Sequence, residues 1–342
     1  GFDIDGTPNT YQIIAADRSG NPVPAGTSIN YVTEGGQIEA IKQTQIVNGI
    51  SRTSANFVSS SPRPVDGRVT VTVYALGEES FLDINGNNSY DAGEPIQDLG
   101  NIFRDRNFDG EFDPTIDEYV PLNVNNSGTC AAPGNPLLNL NPSIPSVPGT
   151  CDGAWSGAGQ VYVRRSTETV LSTSAGRPLW GSTFGLSGTC TISQIRMQVG
   201  PKLNQTADFL LAGNDIWYGG GTGTLSFIVG DANPGRPKPQ DQWANPAVFN
   251  PLLDYDEFPR LNPMAADSKI SVISGTPGLS ASVGGGSPVA STTEASRAAI
   301  SYSFDDVTSG GTVYVTFTSP GGTGTTIAVP IVRGPRPDVC LF

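Results

Sequence analysis

Glycine and proline recur along this chain at such short intervals that a long α-helix has no room to form. There are 42 glycines and 28 prolines in 342 residues, and both residue types destabilise the interior of a helix. The remaining sequence contains many short runs of Val, Ile, Thr and Phe, which favour strands. A hydrophobic content of 37% is too high for a disordered chain. The sequence therefore predicts an all-β protein of more than one domain.

Strand-like segments follow one another closely in the first 80 residues. In segment 68–76, Val69, Val71 and Val73 alternate with polar residues, so we expect this strand to have one apolar face. Such spacing of strands and turns is typical of a β-sandwich. The sequence predicts strands at 11–16, 27–32, 37–41, 50–57, 68–76, 298–304, 312–317 and 326–332. A long strand is also predicted at 160–171, but the sequence does not indicate which sandwich it joins.

Charge and the absence of histidine exclude several function classes. The chain has 19 basic and 32 acidic residues and no histidine, so it lacks the commonest general base and the usual zinc ligand. A net charge of −13 opposes binding to nucleic acid. No apolar run reaches the length of a membrane-spanning helix. We interpret the carboxylate pair Glu78 and Glu79, and the acidic run at 254–257, as solvated side chains, and we therefore expect no enzymatic activity.

Four cysteines indicate an oxidising compartment. None of them has the spacing of a metal-binding motif, and an even number favours disulfides over free thiols. Three pairings are possible. We favour a bridge between Cys130 and Cys151, because the Pro/Gly-rich loop between them has little else to order it, and this leaves Cys190 to pair with Cys340. The chain opens at Gly1 without the features of a signal peptide, so we expect a processed or additional segment before it.

A turn with the sequence GNPVPAGT at 20–27 carries a resemblance to a known family. Together with Asp17, the turn after Glu34 and the closing strand, it resembles the bacterial Ig-like domain of the invasin/intimin type over residues 8–78. A diverged second copy is predicted downstream, where Asn262 and Pro263 correspond to Asn21 and Pro22. The resemblance implies two Ig-like β-sandwiches in an extracellular or bacterial cell-surface protein.

A twelve-residue loop after the first predicted sandwich has the ligand spacing of a calcium loop. Oxygen-bearing side chains at positions 1, 3, 5, 9 and 12 of such a loop converge on one cation, and position 7 contributes its backbone carbonyl. Position 6 is Asn88, which tolerates left-handed backbone angles. The predicted ligands of the first ion are Asp83, Asn85, Asn87, Ser89, Asp91 and Glu94.

A second loop with the same pattern begins 22 residues later, and it has the usual glycine, Gly110, at position 6. Its twelfth position is Ile116, so either Asp117 or Glu118 would have to close the site. Asp98 is a possible outer ligand of either loop. The alternative is that both loops are Asx turns with solvated carboxylates. The predicted ligands of the second Ca²⁺ ion are Asp105, Asn107, Asp109, Glu111, Asp113, Asp117 and Glu118.

The sequence thus predicts four regions: a sandwich at 1–78, a tandem calcium-loop insert at 79–125, a connector at 126–185, and a second sandwich at 186–342. The flanks of the insert resemble calcium-loop inserts of Gram-negative surface proteins, which implies a clamp that stiffens the junction between sandwiches. We therefore predict a non-enzymatic surface or adhesion protein. Its expected partners are neighbouring Ig-like domains, copies of itself, or a surface receptor or glycan.

Two other functions stay open. A structural subunit of an extracellular filament would need a terminal strand, such as 326–332, that is unpaired within its own chain. A carbohydrate-binding accessory module would need a row of exposed aromatic residues on one face of a sandwich.

Overall fold

The computed structural model describes residues 1–106, 110–120, 128–130, 146–180, 217–231, 233, 262–294 and 296–334. Every regular element in these ranges is a β-strand, which confirms the all-β prediction. The chain divides into two compact units. We call Ile4–Pro64 with Val69–Thr169 the first unit, and Gly1–Asp3, Val65–Arg68 and Val170–Phe342 the second unit.

The first unit contains two four-stranded sheets. One has the strand order β1-β6-β3, with β5 also paired to β6, and the other has the order β10-β7-β2-β4. A short β8-β9 pair lies in the segment between β7 and β10. The strands are β1 (Pro8–Ile14), β2 (Ser28–Thr33), β3 (Gln37–Ile38), β4 (Ile41–Gln43), β5 (Gln45–Val47), β6 (Ile50–Val58), β7 (Arg68–Gly77), β8 (Phe103–Arg104), β9 (Glu118–Tyr119) and β10 (Val161–Val170).

The core of the first unit lies between its two large sheets. Ile29 and Tyr31 of β2 and Ala75 of β7 pack with Ala55 of β6. Strands β2 and β7 belong to one sheet and β6 to the other, and the burial of these side chains is the driving force that joins the two sheets. The predicted strands at 11–16, 27–32, 50–57 and 68–76 are present, with ends that differ by a few residues. The single strand predicted at 37–41 is divided between β3 and β4, which belong to different sheets.

Strand β7 is buried on both faces rather than one. Val69 and Val71 face the core as the alternation predicts, but Thr70 and Thr72 are also buried. Their hydroxyls are satisfied, because Thr70 Oγ1 donates to the carbonyl of Asp105 (2.7 Å) and Thr72 Oγ1 lies 2.9 Å from Ser166 Oγ. The loop segment after β7 therefore covers the face that was expected to be solvated.

The position of β10 changes the predicted domain boundaries. Strand β10 is the neighbour of β7 in one sheet, so the long predicted strand at 160–171 belongs to the first sandwich. Everything between Gly77 and Val161 is then an insertion between two neighbouring strands of the first unit, and not a junction between two sandwiches. The physical reason is that the backbone N–H and C=O groups along one edge of β7 need hydrogen-bond partners. Strand β10 supplies them, and the chain reaches β10 only after it has completed the insert.

The second unit also contains two four-stranded sheets, ordered β11-β13-β16-β15 and β12-β18-β17-β14. Leu225 and Ile300 of the first sheet pack with Val315 and Val329 of the second in a continuous hydrophobic core. The strands are β11 (Gly176–Trp180), β12 (Trp217–Gly219), β13 (Thr222–Asp231), β14 (Lys269–Ser274), β15 (Leu279–Gly285), β16 (Ser296–Phe304), β17 (Gly310–Thr318) and β18 (Gly324–Arg333).

Two features of the second unit differ from the prediction. Strand β11 pairs with β13, so this sandwich begins before the predicted boundary at 186. Strand β18 pairs with β17 from Gly324 to Val332, and β12 pairs with its last three residues. The segment 326–332 is therefore paired within its own chain, whereas a donor strand of a filament would be left unpaired.

Candidate metal centre

Asp83 organises the start of the first predicted calcium loop. Its Oδ1 accepts the backbone N–H groups of Gly86 (2.6 Å) and Asn87 (3.2 Å), and its Oδ2 accepts that of Asn88 (2.7 Å). These bonds curl the backbone around the carboxylate. Asn88 has φ = 62°, a left-handed conformation that the tight curl requires and that asparagine tolerates.

Glu94 closes the same loop. Its Oε1 accepts the N–H of Ile84 (2.8 Å) and its Oε2 accepts the N–H of Asp91 (3.0 Å). Position 12 of the loop is thereby fixed against positions 2 and 9. The sequence spacing predicted that Glu94 returns to the start of the loop, and the hydrogen bonds place it there.

The side chains at positions 3, 5 and 9 meet at one point. Asn85 Nδ2 and Asn87 Nδ2 donate to Asp91 Oδ2 over 2.7 and 2.6 Å. The amide oxygens are held by backbone donors, because Asn85 Oδ1 accepts the N–H of Asn87 (3.0 Å) and Asn87 Oδ1 accepts the N–H of Ser89 (2.8 Å). To present oxygen to a cation at this point, both amides would have to rotate and exchange these hydrogen bonds for metal contacts. The donor set of two amides and carboxylates fits calcium, a hard cation with oxygen ligands.

The second loop repeats the backbone scaffold of the first. Asp105 Oδ2 accepts the N–H of Gly110 (2.8 Å), as Asp83 Oδ2 does at the same position of the first loop. Asp117 Oδ1 accepts the N–H of Arg106 (2.8 Å), and Asp117 Oδ2 accepts the N–H of Asp113 (2.8 Å). These two bonds are the counterparts of the bonds made by Glu94. Asp117 therefore closes the second loop, one residue later than the regular spacing.

Glu118 points to other partners. Its carboxylate forms ion pairs with Arg104 and, over 2.8 Å, with Arg106. The hydrogen bond from Arg104 and the positive charge of both arginines hold the pKa of Glu118 below its ordinary value. Of the two candidates that the sequence left open, Asp117 has the position of a closing ligand and Glu118 does not.

The remaining predicted ligands of the second loop are only partly described. Asp105 and Asp117 are buried, and Glu111 is exposed. Asp113 Oδ1 accepts the N–H (2.8 Å) and hydroxyl (2.6 Å) of Thr115, and these bonds lower its pKa. Asn107 and Asp109 lie outside the described residues.

Aromatic packing holds the first loop against Trp155, in a later part of the same insert. Tyr90, at position 8 of the loop, stacks on Trp155 with ring centroids 5.1 Å apart. Phe81 packs edge-to-face against both rings, and the Arg18 guanidinium lies 4.0 Å from the Phe81 ring centroid. A rearrangement of the loop is therefore transmitted to the environment of Trp155.

The predicted bridge between Cys130 and Cys151 is confirmed. The two Cα atoms are 5.0 Å apart, and the backbones of Gly128 and Cys151 exchange two hydrogen bonds beside it. Asp98 accepts the N–H groups of Asp152 (3.4 Å) and Gly153 (2.7 Å), so it supports this region rather than a calcium loop. Cys190 and Cys340 lie outside the described residues.

The sequence missed the burial of Glu79. Its two oxygens accept the N–H groups of Leu99 (2.7 Å) and Ser156 (2.7 Å), and the residue is 1% exposed. Burial raises its pKa to about 7, although the two hydrogen bonds act in the opposite direction. Adjacent acidic residues gave no signal of this, because burial depends on Leu99 and Ser156, which are distant in sequence.

The raised pKa of Glu79 predicts a pH dependence of stability. Its folded-state pKa of about 7 exceeds the ordinary value of 4.5, so between these values the folded state binds more protons than the unfolded state. The contribution of Glu79 to stability is therefore fully present below pH 4.5 and is lost as the pH rises through 7. After allowance for solvent screening, we expect a loss of about 1–2 kcal/mol.

Urea unfolding of the first unit at several pH values from 5 to 8 measures this loss. Glu79→Gln is expected to remove this part of the pH dependence, and Glu78→Gln, at the neighbouring position, is expected to retain it. If the unfolding free energy depended on pH equally in the two variants, the raised pKa assigned to Glu79 would be wrong.

Within the described ranges, no group of three or more His, Cys, Asp and Glu side chains lies close enough to hold a metal ion. The described residues also contain no helix that is long and apolar enough to cross a membrane.

No family model and no curated protein matches the chain. Among solved structures, extracellular cadherin domains 3–6 of protocadherin gamma B2 align with 97% of this chain and 79% of that chain, at 10% identity and a TM-score of 0.17. A likeness at this TM-score supports no argument about fold or function.

Proposed function

We propose that this chain is part of a non-enzymatic bacterial surface or adhesion protein in which calcium orders an insert of the first Ig-like unit. One observation carries the proposal: two loops of different sequence share the same hydrogen-bond scaffold. In both loops, an aspartate at position 1 accepts the N–H of position 6, and a later carboxylate accepts those of positions 2 and 9. Solvated Asx turns do not require this closing carboxylate.

The charge and covalent structure of the chain support an extracellular site of action. A disulfide in the insert persists in an oxidising compartment. The net charge of −13 favours attraction of cations, and extracellular calcium modules bind at roughly 10⁻⁴–10⁻³ M. The proposed partners are neighbouring Ig-like domains, copies of the chain, or a receptor or glycan on another surface.

Calcium acts within one unit in this proposal. Both loops lie between the neighbouring strands β7 and β10, so the ions stiffen the insert over one sheet instead of clamping two sandwiches together. Carboxylates packed into such a short segment repel one another without a cation. The insert is therefore compact and protease-resistant when calcium is bound, which suits a surface that must keep its shape outside the cell.

The two alternatives receive less support. The strand 326–332, the candidate donor strand of a filament, is paired with β17. For carbohydrate binding, a row of exposed aromatic residues is required. Tyr119 and Tyr314 are the aromatic residues among the more exposed large side chains of the described ranges, and they belong to different units.

Calcium titration of the full chain tests the metal site. Asp83→Ala removes the carboxylate that organises the first loop and is expected to abolish binding at that loop, with loss of the calcium-dependent change in Trp155 fluorescence. Asp17→Ala is the matched control. Asp17 also accepts two backbone N–H groups, from Ser19 (2.9 Å) and Asn21 (2.8 Å), but it lies in an ordinary turn, so calcium binding should persist.

The surface location is tested separately. An antibody raised against the purified chain should label intact cells of the source organism as strongly as lysed cells, and chelation should make residues 79–125 sensitive to protease. The metal proposal fails if the wild-type chain shows neither binding heat nor altered protease resistance in millimolar calcium. Labelling restricted to lysed cells would refute the surface assignment.

A further inference from the structure

Three buried polar residues lie together in the second unit, far in sequence from the calcium loops. They are Asp231, Asn233 and Asn262, which we call the inner polar cluster, and their exposed fractions are 1%, 4% and 0%. The hydrophobic core of the unit does not include them. Buried polar groups at this depth are normally hydrogen-bonded.

Backbone pairing brings Asp231 and Asn262 side by side. Gly230 and Pro263 form an antiparallel bridge, and the N–H of Asp231 donates to the carbonyl of Asn262 (2.9 Å). Asp231 and Asn262 are thus direct cross-strand neighbours, whose side chains project to the same face. Asn233 follows Asp231 by two residues, and its N–H donates to Asp231 Oδ1 (2.8 Å).

Two amide oxygens of the cluster have no partner. Asn233 Oδ1 and Asn262 Oδ1 are buried and accept no hydrogen bond. The orientation of Asn262 is fixed, because its Nδ2 donates to the carbonyl of Asp66 (2.6 Å), and a flipped amide would bring two oxygens together. Both amide nitrogens approach Gly67: a Cβ built there would lie 2.8 Å from Asn233 Nδ2 and 3.1 Å from Asn262 Nδ2. The two amide oxygens therefore point away from Gly67.

Asp231 is the acidic member of the cluster. Its Oδ2 accepts the N–H of Thr173 (2.7 Å), and each carboxylate oxygen keeps a second lone pair for another partner. Burial raises the pKa of Asp231 to about 7; the Asp3 carboxylate acts in the same direction and the Arg68 guanidinium in the opposite one. The cluster therefore offers the Asp231 carboxyl group and two unpartnered amide oxygens as oxygen donors.

We propose that Asp231, Asn233 and Asn262 form a third cation site, in which the Asp231 carboxylate and the two amide oxygens ligate a hard metal ion such as calcium. Oxygen-only donors of this kind select hard cations. The site lies in the second unit and does not rest on the calcium loops. The competing explanation is that water molecules, rather than a cation, satisfy the two oxygens.

Hydrogen exchange of the full chain tests this site independently of the loops. The background variant is Asp83→Ala with Asp117→Ala, which disables both loop sites, and ionic strength is held constant with potassium chloride. Addition of about 10 mM calcium is expected to slow exchange about 10- to 100-fold in peptides covering 170–174, 229–233 and 262–266, because the cation binds only the folded unit. Peptides from 83–94 and 105–117 report on the loops in the same experiment.

Asn233→Ala removes one ligand whose oxygen has no other role, and it is expected to abolish the slowing. Asp231→Asn should do the same. Asp305→Asn is the matched control, because Asp305 Oδ1 accepts the N–H groups of Val307 (3.1 Å) and Thr308 (2.8 Å) without buried amides beside it. The proposal is overturned if calcium leaves these peptides unchanged in the background variant, or if Asn233→Ala retains the full response. Either result would assign the amide oxygens to water.

Discussion

Replacement of Cys130 and Cys151 by alanine is expected to lower the free energy of unfolding of the first unit by about 3 kcal/mol. The two cysteines are separated by 21 positions, and the bridge restricts the unfolded chain by closing a loop of this length. Cys151 is fully buried, so alanine is preferred to serine, whose hydroxyl would need a buried partner.

Urea unfolding followed by Trp155 fluorescence measures this effect, because Trp155 lies in the same insert. The double variant and the wild type are compared without reductant, so that the predicted bridge between Cys190 and Cys340 is left unchanged. Cys130→Ala alone should give nearly the same loss as the double variant. An unfolding free energy unchanged by the double replacement would show that the bridge does not constrain the unfolded state.

Asp117→Ala is expected to weaken calcium binding at the second loop by about 100-fold or more, equivalent to about 2.7 kcal/mol. The variant removes the carboxylate that accepts the N–H groups of Arg106 and Asp113, and it leaves those two donors without their acceptor. Glu118→Ala should change the affinity much less, because Glu118 is paired with arginines.

Calorimetric titration of the two variants in an Asp83→Ala background isolates the second loop. The two variants are well matched, because the replaced residues are adjacent and each replacement removes one carboxylate. If Glu118→Ala abolished binding while Asp117→Ala preserved it, the closing role assigned to Asp117 would be wrong.

Local spacing was sufficient to predict much of the first unit and both loops. Alternation in β7, the turns at glycine and proline, and the Asx pattern depend on residues within one strand or one loop, and their hydrogen bonds form over a few positions. The curl of the first loop around Asp83 and its closure by Glu94 follow from the same local chemistry. The bridge between Cys130 and Cys151 was predictable because it closes a single loop.

The three-dimensional fold decided what depends on distant partners. Sequence could not choose between Asp117 and Glu118, because the choice depends on Arg104, which draws Glu118 away. It could not place β10, since a strand edge can pair with any segment that returns to it. The burial of Glu79, and the meeting of Asn233 with Asn262 at Gly67, arise from segments far apart in the chain. The sequence alone therefore determined the short-range turns, loops and strands, whereas strand partners and buried polar groups were set by long-range packing, which depends on the whole chain at once.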